Sequence, residues 1–171
     1  LLLGMTSGVF AAGSAFSDIT DPKTVRDAEI LRLMGVMEGY DNGTFKPGAA
    51  LTRAQFCKMA IWLLQAQDES AQYQNMTVFP DVKPSHWASA YINQAAKGQK
   101  IITGHDDGLF RPDAPITSGQ AVTILLRMLG CKDEEIGGVW PESYMAAAKA
   151  MGLLDGISIA NGRASITRAQ A

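Results

Sequence analysis

One short phrase recurs three times along the chain: Leu51-Thr52-Arg53-Ala54-Gln55, Ile116-Thr117-Ser118-Gly119-Gln120 and Ile166-Thr167-Arg168-Ala169-Gln170. A matching turn precedes the first two copies, Gly39-Tyr40-Asp41-Asn42-Gly43-Thr44-Phe45-Lys46-Pro47 and Gly104-His105-Asp106-Asp107-Gly108-Leu109-Phe110-Arg111-Pro112, and turn and phrase share one offset of 65 residues. Several signatures held in common register mean that one supersecondary unit has been repeated. Units of this size bury their apolar faces against one another rather than alone.

Within the units the apolar periodicity is helical. Val25, Ala28, Ile30, Leu31, Leu33 and Met34 are spaced as one face of a first helix, which Gly35 and Gly39 close. Thr52 and Gln55 have the spacing of a capping box, in which each side chain satisfies the other's backbone amide. The helix that follows turns Phe56, Met59, Ala60, Leu63 and Leu64 inward, with Leu51 placed to staple onto Phe56. A second unit repeats this plan: Phe79-Pro80-Asp81-Val82 matches Phe16-Ser17-Asp18-Ile19, His86-Trp87-Ala88 leads a helix, and the Thr117/Gln120 box opens another. The third unit keeps Trp140-Pro141-Glu142, a helix from Tyr144 to Met151 and the Thr167/Gln170 box, but has neither the Phe-x-Asp opening nor the Asp-x-Gly-x-Phe-x-Pro loop. The expected class is all-α, with repeats at 16–64, 79–130 and 131–171 and a polar linker at 65–78.

The opening run, residues 1–15, is uncharged and apolar and ends in small side chains, Gly13 and Ala15. It reads as the remnant of a secretory signal peptide cleaved after Ala15. At the other end Thr167 opens a helix that the chain leaves no room for, so the third unit is expected to be truncated and the least stable. No segment of the mature chain is expected to span a membrane. A net charge of −2 without a clustered basic face argues against nucleic acid. Cys57 and Cys131 are read as idle thiols rather than a bridge. Asp41-Asn42-Gly43 and Asp106-Asp107-Gly108 lack the oxygen ladder of a calcium loop. His86 and His105 lack metal-ligand spacing. No metal or cofactor is expected, no catalytic constellation stands out, and Trp62 and Trp140 read as core or interface residues.

Taken in order, Phe-x-Asp, His-Trp-Ala, Gly-Tyr, Asp-x-Gly-x-Phe-x-Pro and Ile-Thr-Arg-Ala-Gln resemble the S-layer homology (SLH) domain family over nearly all of residues 16–170. The resemblance implies helical repeats in a pseudo-threefold arrangement, secreted and held non-covalently on the bacterial cell envelope. The partner it implies is secondary cell-wall polysaccharide, acidic and often bearing pyruvate ketals, bound in grooves between repeats; peptidoglycan and other surface-layer subunits are further candidates. Carried over residue by residue, the glycan contacts are Arg53, Arg168, Trp87, Asp18, Asp81, Gly39 and Gly104. The residues supply a reason of their own, because Arg53 and Arg168 follow capping threonines, where helix-terminal amides and a planar guanidinium together suit a carboxylate. Ser118-Gly119 stands for Arg-Ala in the second unit, Thr24-Val25 for His-Trp in the first, and the third unit lacks its loop. One or two competent grooves are therefore expected. Two other functions fit the same residues: a structural module packing against surface-layer subunits with little glycan binding, and the targeting module of an enzyme whose catalytic domain lies beyond residue 171.

Overall fold

The computed structural model describes residues 15–171, so the apolar opening lies outside the described residues apart from Ala15. Among the described residues every regular element is helical and there is no strand. Helix α1 (Pro22–Leu33) is capped by Asp21, whose carboxylate accepts hydrogen bonds from Thr24 N at 2.8 Å and Thr24 Oγ1 at 2.7 Å. Pro22 at its first position loses nothing, since the amide it lacks has no partner within the helix.

Helices α2 (Arg53–Leu63) and α4 (Ser118–Met128) begin at the two complete boxes. Thr52 Oγ1 accepts from Gln55 N at 3.2 Å while Gln55 Oε1 accepts from Thr52 N at 3.0 Å, and Thr117 and Gln120 repeat the exchange at 3.3 and 3.2 Å. Helix α3 (Ser89–Asn93) runs on into a π turn at Gln94–Gly98; α5 (Asp133–Ile136) and α6 (Glu142–Ala150) belong to the third unit. One apolar core joins the first two units, and a smaller one, Val122, Leu126, Tyr144 and Ala148, fastens α6 to α4.

The polar stretch at 65–78 is more ordered than its composition suggests. It holds a 3-10 helix, Gln67–Tyr73, that packs on α3. Two fully buried amides reach it from there: Gln94 Oε1 accepts from Ser70 Oγ at 2.5 Å and Gln94 Nε2 donates to Ala66 O at 2.8 Å. Asn93 Nδ2 donates to the carbonyls of Tyr73 and Met76. A segment rich in Gln, Asp, Glu and Ser can be part of a folded surface when most of its polar groups are paired; Gln67 Oε1 and Asn93 Oδ1 are buried here without a partner among the described residues.

The three boxes meet at the centre. Leu51 N donates to Ile166 O at 3.2 Å, Ile166 N to Ile116 O at 3.1 Å and Ile116 N to Leu51 O at 2.8 Å, a closed ring of backbone hydrogen bonds with one member from each unit. All three side chains are buried. The next amides continue the cycle: Arg53 N donates to Ala114 O, Ser118 N to Ala164 O and Arg168 N to Ala49 O, each within 2.9–3.0 Å. Each unit thus leans on the loop of the next, and the third leans on the first.

Gly119 marks where one of these joints differs. A Cβ built there would lie 2.6 Å from Pro141 Cβ and 2.7 Å from Gly162 O, both part of the third unit. The equivalent residues are Ala54 in α2 and Ala88 after Trp87, so a smaller residue on one side accompanies a larger one, Pro141, on the other. Gly119→Ala would gain about 1 kcal/mol of helix propensity. Neither a backbone carbonyl nor a proline ring can swing aside, however, so overpacking wins. Overpacking of about 1–3 kcal/mol less that gain leaves a net loss of up to about 2 kcal/mol, read as a lower urea midpoint with an unchanged slope.

Candidate functional site

Arg53 and Arg168 occupy the same place in their units, and both are buried, 4% and 7% exposed. Arg53 Nε donates to Phe110 O at 2.7 Å, and its guanidinium lies over the Phe110 ring. Arg168 Nε donates to Phe45 O at 2.7 Å and Nη2 to Glu38 O at 2.7 Å, with the guanidinium over the rings of Phe45 and Tyr40. In the second unit Ser118 Oγ reaches Asn161 O at 2.7 Å, a short side chain doing the same docking without charge. The arginines therefore clamp the loop of a neighbouring unit. Their Nη1 groups have no hydrogen bond to the described residues, and neither guanidinium lies within ion-pair distance of a described carboxylate. Burial lowers both guanidinium pKa values, but arginine keeps its charge at neutral pH.

The helix-terminal amides do not form the anion corner expected of them. At each box the first two amides donate to carbonyls of the adjoining loop, Arg53 and Ala54 to Ala114 and Pro112, Arg168 and Ala169 to Ala49 and Pro47. The amides of Gln55 and Gln120 go to the capping threonines. A helix start binds an anion only while its amides are free, and here a neighbouring unit has taken them.

Asp18 and Asp81 stand behind these loops. Asp18 accepts from Phe45 N at 2.6 Å and Lys46 N at 2.7 Å, and Asp81 from Phe110 N at 2.9 Å and Arg111 N at 2.7 Å. Lys46 and Arg111 adopt φ of 56° and 57°, the left-handed turn that aims two successive amides at one carboxylate. The Phe45 amide chiefly holds Asp18 below the usual carboxylate pKa; for Asp81, burial pushes upward but the Phe110 and Arg111 amides outweigh it. The Phe45 and Phe110 peptides are thus gripped at both ends, N–H by the aspartate and C=O by the arginine. Gly39 and Gly104 are needed for packing, since a Cβ would lie 2.3 Å from the Phe16 ring or 2.8 Å from the Phe79 ring.

Two grooves result, each built by all three units. Groove one, about 200 Å³, is walled by Gly39 and Tyr40 of the first loop, Gln55 and Lys58 of α2, Trp87 of the second unit and Arg168 of the third. Groove two, about 320 Å³, has Gly104 and His105 of the second loop, Gln120 and Thr123 of α4, Trp140 of the third unit and Arg53 of the first. The repeat relates them: Arg168 answers Arg53, Tyr40 answers His105, Lys58 answers Thr123, and Trp87 answers Trp140. Of the residues expected to touch ligand, Arg168, Gly39 and Trp87 come together in groove one and Arg53 and Gly104 in groove two. Asp18 and Asp81 line neither. At the corresponding third position Ser118 replaces the arginine and Thr24-Val25 the indole, and a smaller cavity of about 170 Å³ is lined there by Lys23, Thr24, Ile157 and Gln170.

Trp87 is 54% exposed along groove one, and Trp140, expected as a core or interface residue, stands at the interface of the second and third units and is also 40% exposed along groove two, a position that sequence reasoning did not mark. Its indole N–H donates to Thr123 Oγ1 at 3.1 Å, which fixes the ring edge-on to α4. The signal was available in the order Trp-small/Pro-helix, shared by Trp87-Ala88 and Trp140-Pro141 and masked by Val139 where His86 stands. Lys58 Nζ lies 3.7 Å from Glu38 in groove one, whereas Arg127 of groove two is held by Asp133 through contacts of 3.0 and 2.6 Å. Cys57 and Cys131 are free, and burial pushes the Cys57 thiol up to about 12.

Comparison with known proteins follows this geometry. The profile of the S-layer homology domain matches residues 29–57 and 78–122. The chain is 31% identical over 171 residues to a middle cell wall protein of Brevibacillus brevis, covering 96% of this chain and 16% of that protein. It is 32% identical over 148 residues to a cellulosome-anchoring protein of Acetivibrio thermocellus, 78% of this chain and 33% of that protein. A similar likeness, 29% over 170 residues, joins it to the exoglucanase XynX of Acetivibrio thermocellus, 91% of this chain and 15% of that protein. The chain thus spans a third or less of the length of these relatives.

Proposed function

The chain belongs to the S-layer homology domain family, and on that footing we propose that it ties a secreted protein non-covalently to the bacterial cell envelope, binding an acidic, pyruvate-bearing secondary cell-wall polysaccharide in two grooves. The observation that carries this reading is the buried guanidinium in each groove, Arg168 in one and Arg53 in the other, with no described carboxylate in contact. Asp81 and Asp18 act on these cations only from a distance, and burying a cation with no counter-charge in contact carries a cost that backbone carbonyls offset only in part. A carboxylate entering the groove supplies the missing charge, and Nη1 offers it a charge-assisted donor. The exposed indole beside each guanidinium gives the apolar face of a sugar ring a flat surface. The wall protein and the anchoring protein among the relatives support a place at the cell surface, and the exoglucanase supports a module that enzymes as well as structural proteins carry. The module itself acts by binding, not by catalysis.

The tryptophans test this better than the arginines, because the indoles are exposed while the arginines hold the fold together. Co-sedimentation with purified wall polysaccharide is the measurement, with the ketal intact or removed by mild acid. Trp87→Ala and Trp140→Ala are each expected to weaken their own groove by about 2 kcal/mol, roughly thirtyfold, and the double variant to abolish retention. Removing the ketal or raising salt should weaken both grooves. Full retention by the double variant, indifferent to the ketal, would move subunit packing to first place.

A further inference from the structure

His105 is one of the residues by which the two grooves differ chemically. It stands in groove two where Tyr40 stands in groove one. Its Nε2 is buried and has no hydrogen-bond partner among the described residues. The charged and titratable groups around it come from four elements: Asp106, Asp107 and Arg111 on its own loop, Arg53 on α2, Arg127 on α4 and Tyr144 on α6. Arg111 is taken by Asp107 at 2.5 Å, and Arg127 by Asp133. That leaves Arg53 as the cation without a carboxylate in contact. Burial first, then the Arg53 and Arg111 charges, hold His105 below the ordinary histidine pKa against the pull of Asp107 and Asp106.

An empty groove two therefore carries a neutral imidazole with an unused nitrogen beside a guanidinium in search of an anion. We propose that groove two takes up a proton on His105 when it binds its carboxylate-bearing ligand, so that its grip tightens as the surroundings acidify while that of groove one does not. This rests on the reading of the grooves as sites for an acidic glycan. The incoming carboxylate cancels the repulsion between Arg53 and an imidazolium and offers Nε2–H an acceptor, so it raises the His105 pKa. By linkage, protonation must then strengthen binding by the same factor. The sign runs one way. The free-state pKa lies below the ordinary 6.5 and the bound-state pKa above the free one, so affinity rises as pH falls through the interval between them. The ligand's own carboxylate stays ionised throughout, its pKa being roughly 3–4.

The test uses the whole chain carrying Trp87→Ala, which silences groove one, and a pyruvylated wall oligosaccharide as probe. The ring resonances of His105 can be followed by NMR. Saturation with the probe is expected to raise the His105 titration midpoint, and the affinity at pH 5.5 should exceed that at pH 7.5 by up to about tenfold. His105→Tyr, which installs the residue of the other groove, should remove the pH dependence from whatever affinity it retains. If the probe binds and the His105 midpoint does not rise, the inference is overturned while the glycan reading stands. If the probe binds at no pH, both fall together.

Discussion

Arg168→Ala is expected to destabilise the protein by about 3–5 kcal/mol, because two charge-assisted hydrogen bonds at roughly 1.5–3 kcal/mol each disappear together. The carbonyls of Phe45 and Glu38 lose their donors, and the Phe45 and Tyr40 rings lose the plane that covers them. Removing a buried cation returns part of its desolvation energy, but the stranded acceptors remain inside and decide the sign. For a domain of this size the melting temperature should fall by on the order of 10 °C, seen by calorimetry. Arg168→Lys should recover little of this, since a lysine carries one ammonium rather than a planar fork that reaches two carbonyls. A variant that melts with the parent protein would mean that the first loop is held by other contacts.

The second large effect is expected at Phe110, which belongs to a loop yet is 0% exposed. Phe110→Ala should lower stability by about 3–5 kcal/mol through the cavity it leaves. It also removes the partner of Phe79, 5.2 Å away between ring centroids, and the surface on which Arg53 rests at 4.5 Å. Leu109, next to it and only half-buried, serves as the comparison, with a much smaller loss expected. Hydrogen exchange should show the added opening in the second loop and at the start of α2, which are joined through Arg53. Equal unfolding midpoints for the two variants would show that the ring carries no core.

The parts of this fold legible in the sequence were those governed by near neighbours. Capping boxes are such a case: Thr52 with Gln55 and Thr117 with Gln120 act over three residues, so spacing alone locates both helix starts. The groove residues answered to a different rule. Asp18 looked like a ligand contact and proves to hold the amides of Phe45 and Lys46, which lie far along the chain. The amides of Arg53 and Ala54 looked free until the second unit's loop was seen to cover them. Trp140 shares its local order with Trp87, but the cavity it lines with Gly104 and Arg53 follows from the cyclic order of the units, which no local pattern encodes. Periodicity says that units recur; it does not say which face of one meets which face of the next.

That cyclic order sets a sequence of events as well as a shape. An open solenoid gains stability one repeat at a time, whereas this ring closes through Leu51 and Ile166, so its earliest loop waits for its latest box. Groove one has its walls in the first and second units and its buried guanidinium at Arg168. A chain leaving the cell N-terminus first would emerge with the walls of that groove long before the charge that completes it. Groove one is thus complete only once the segment that bears Arg168 has folded against the first loop.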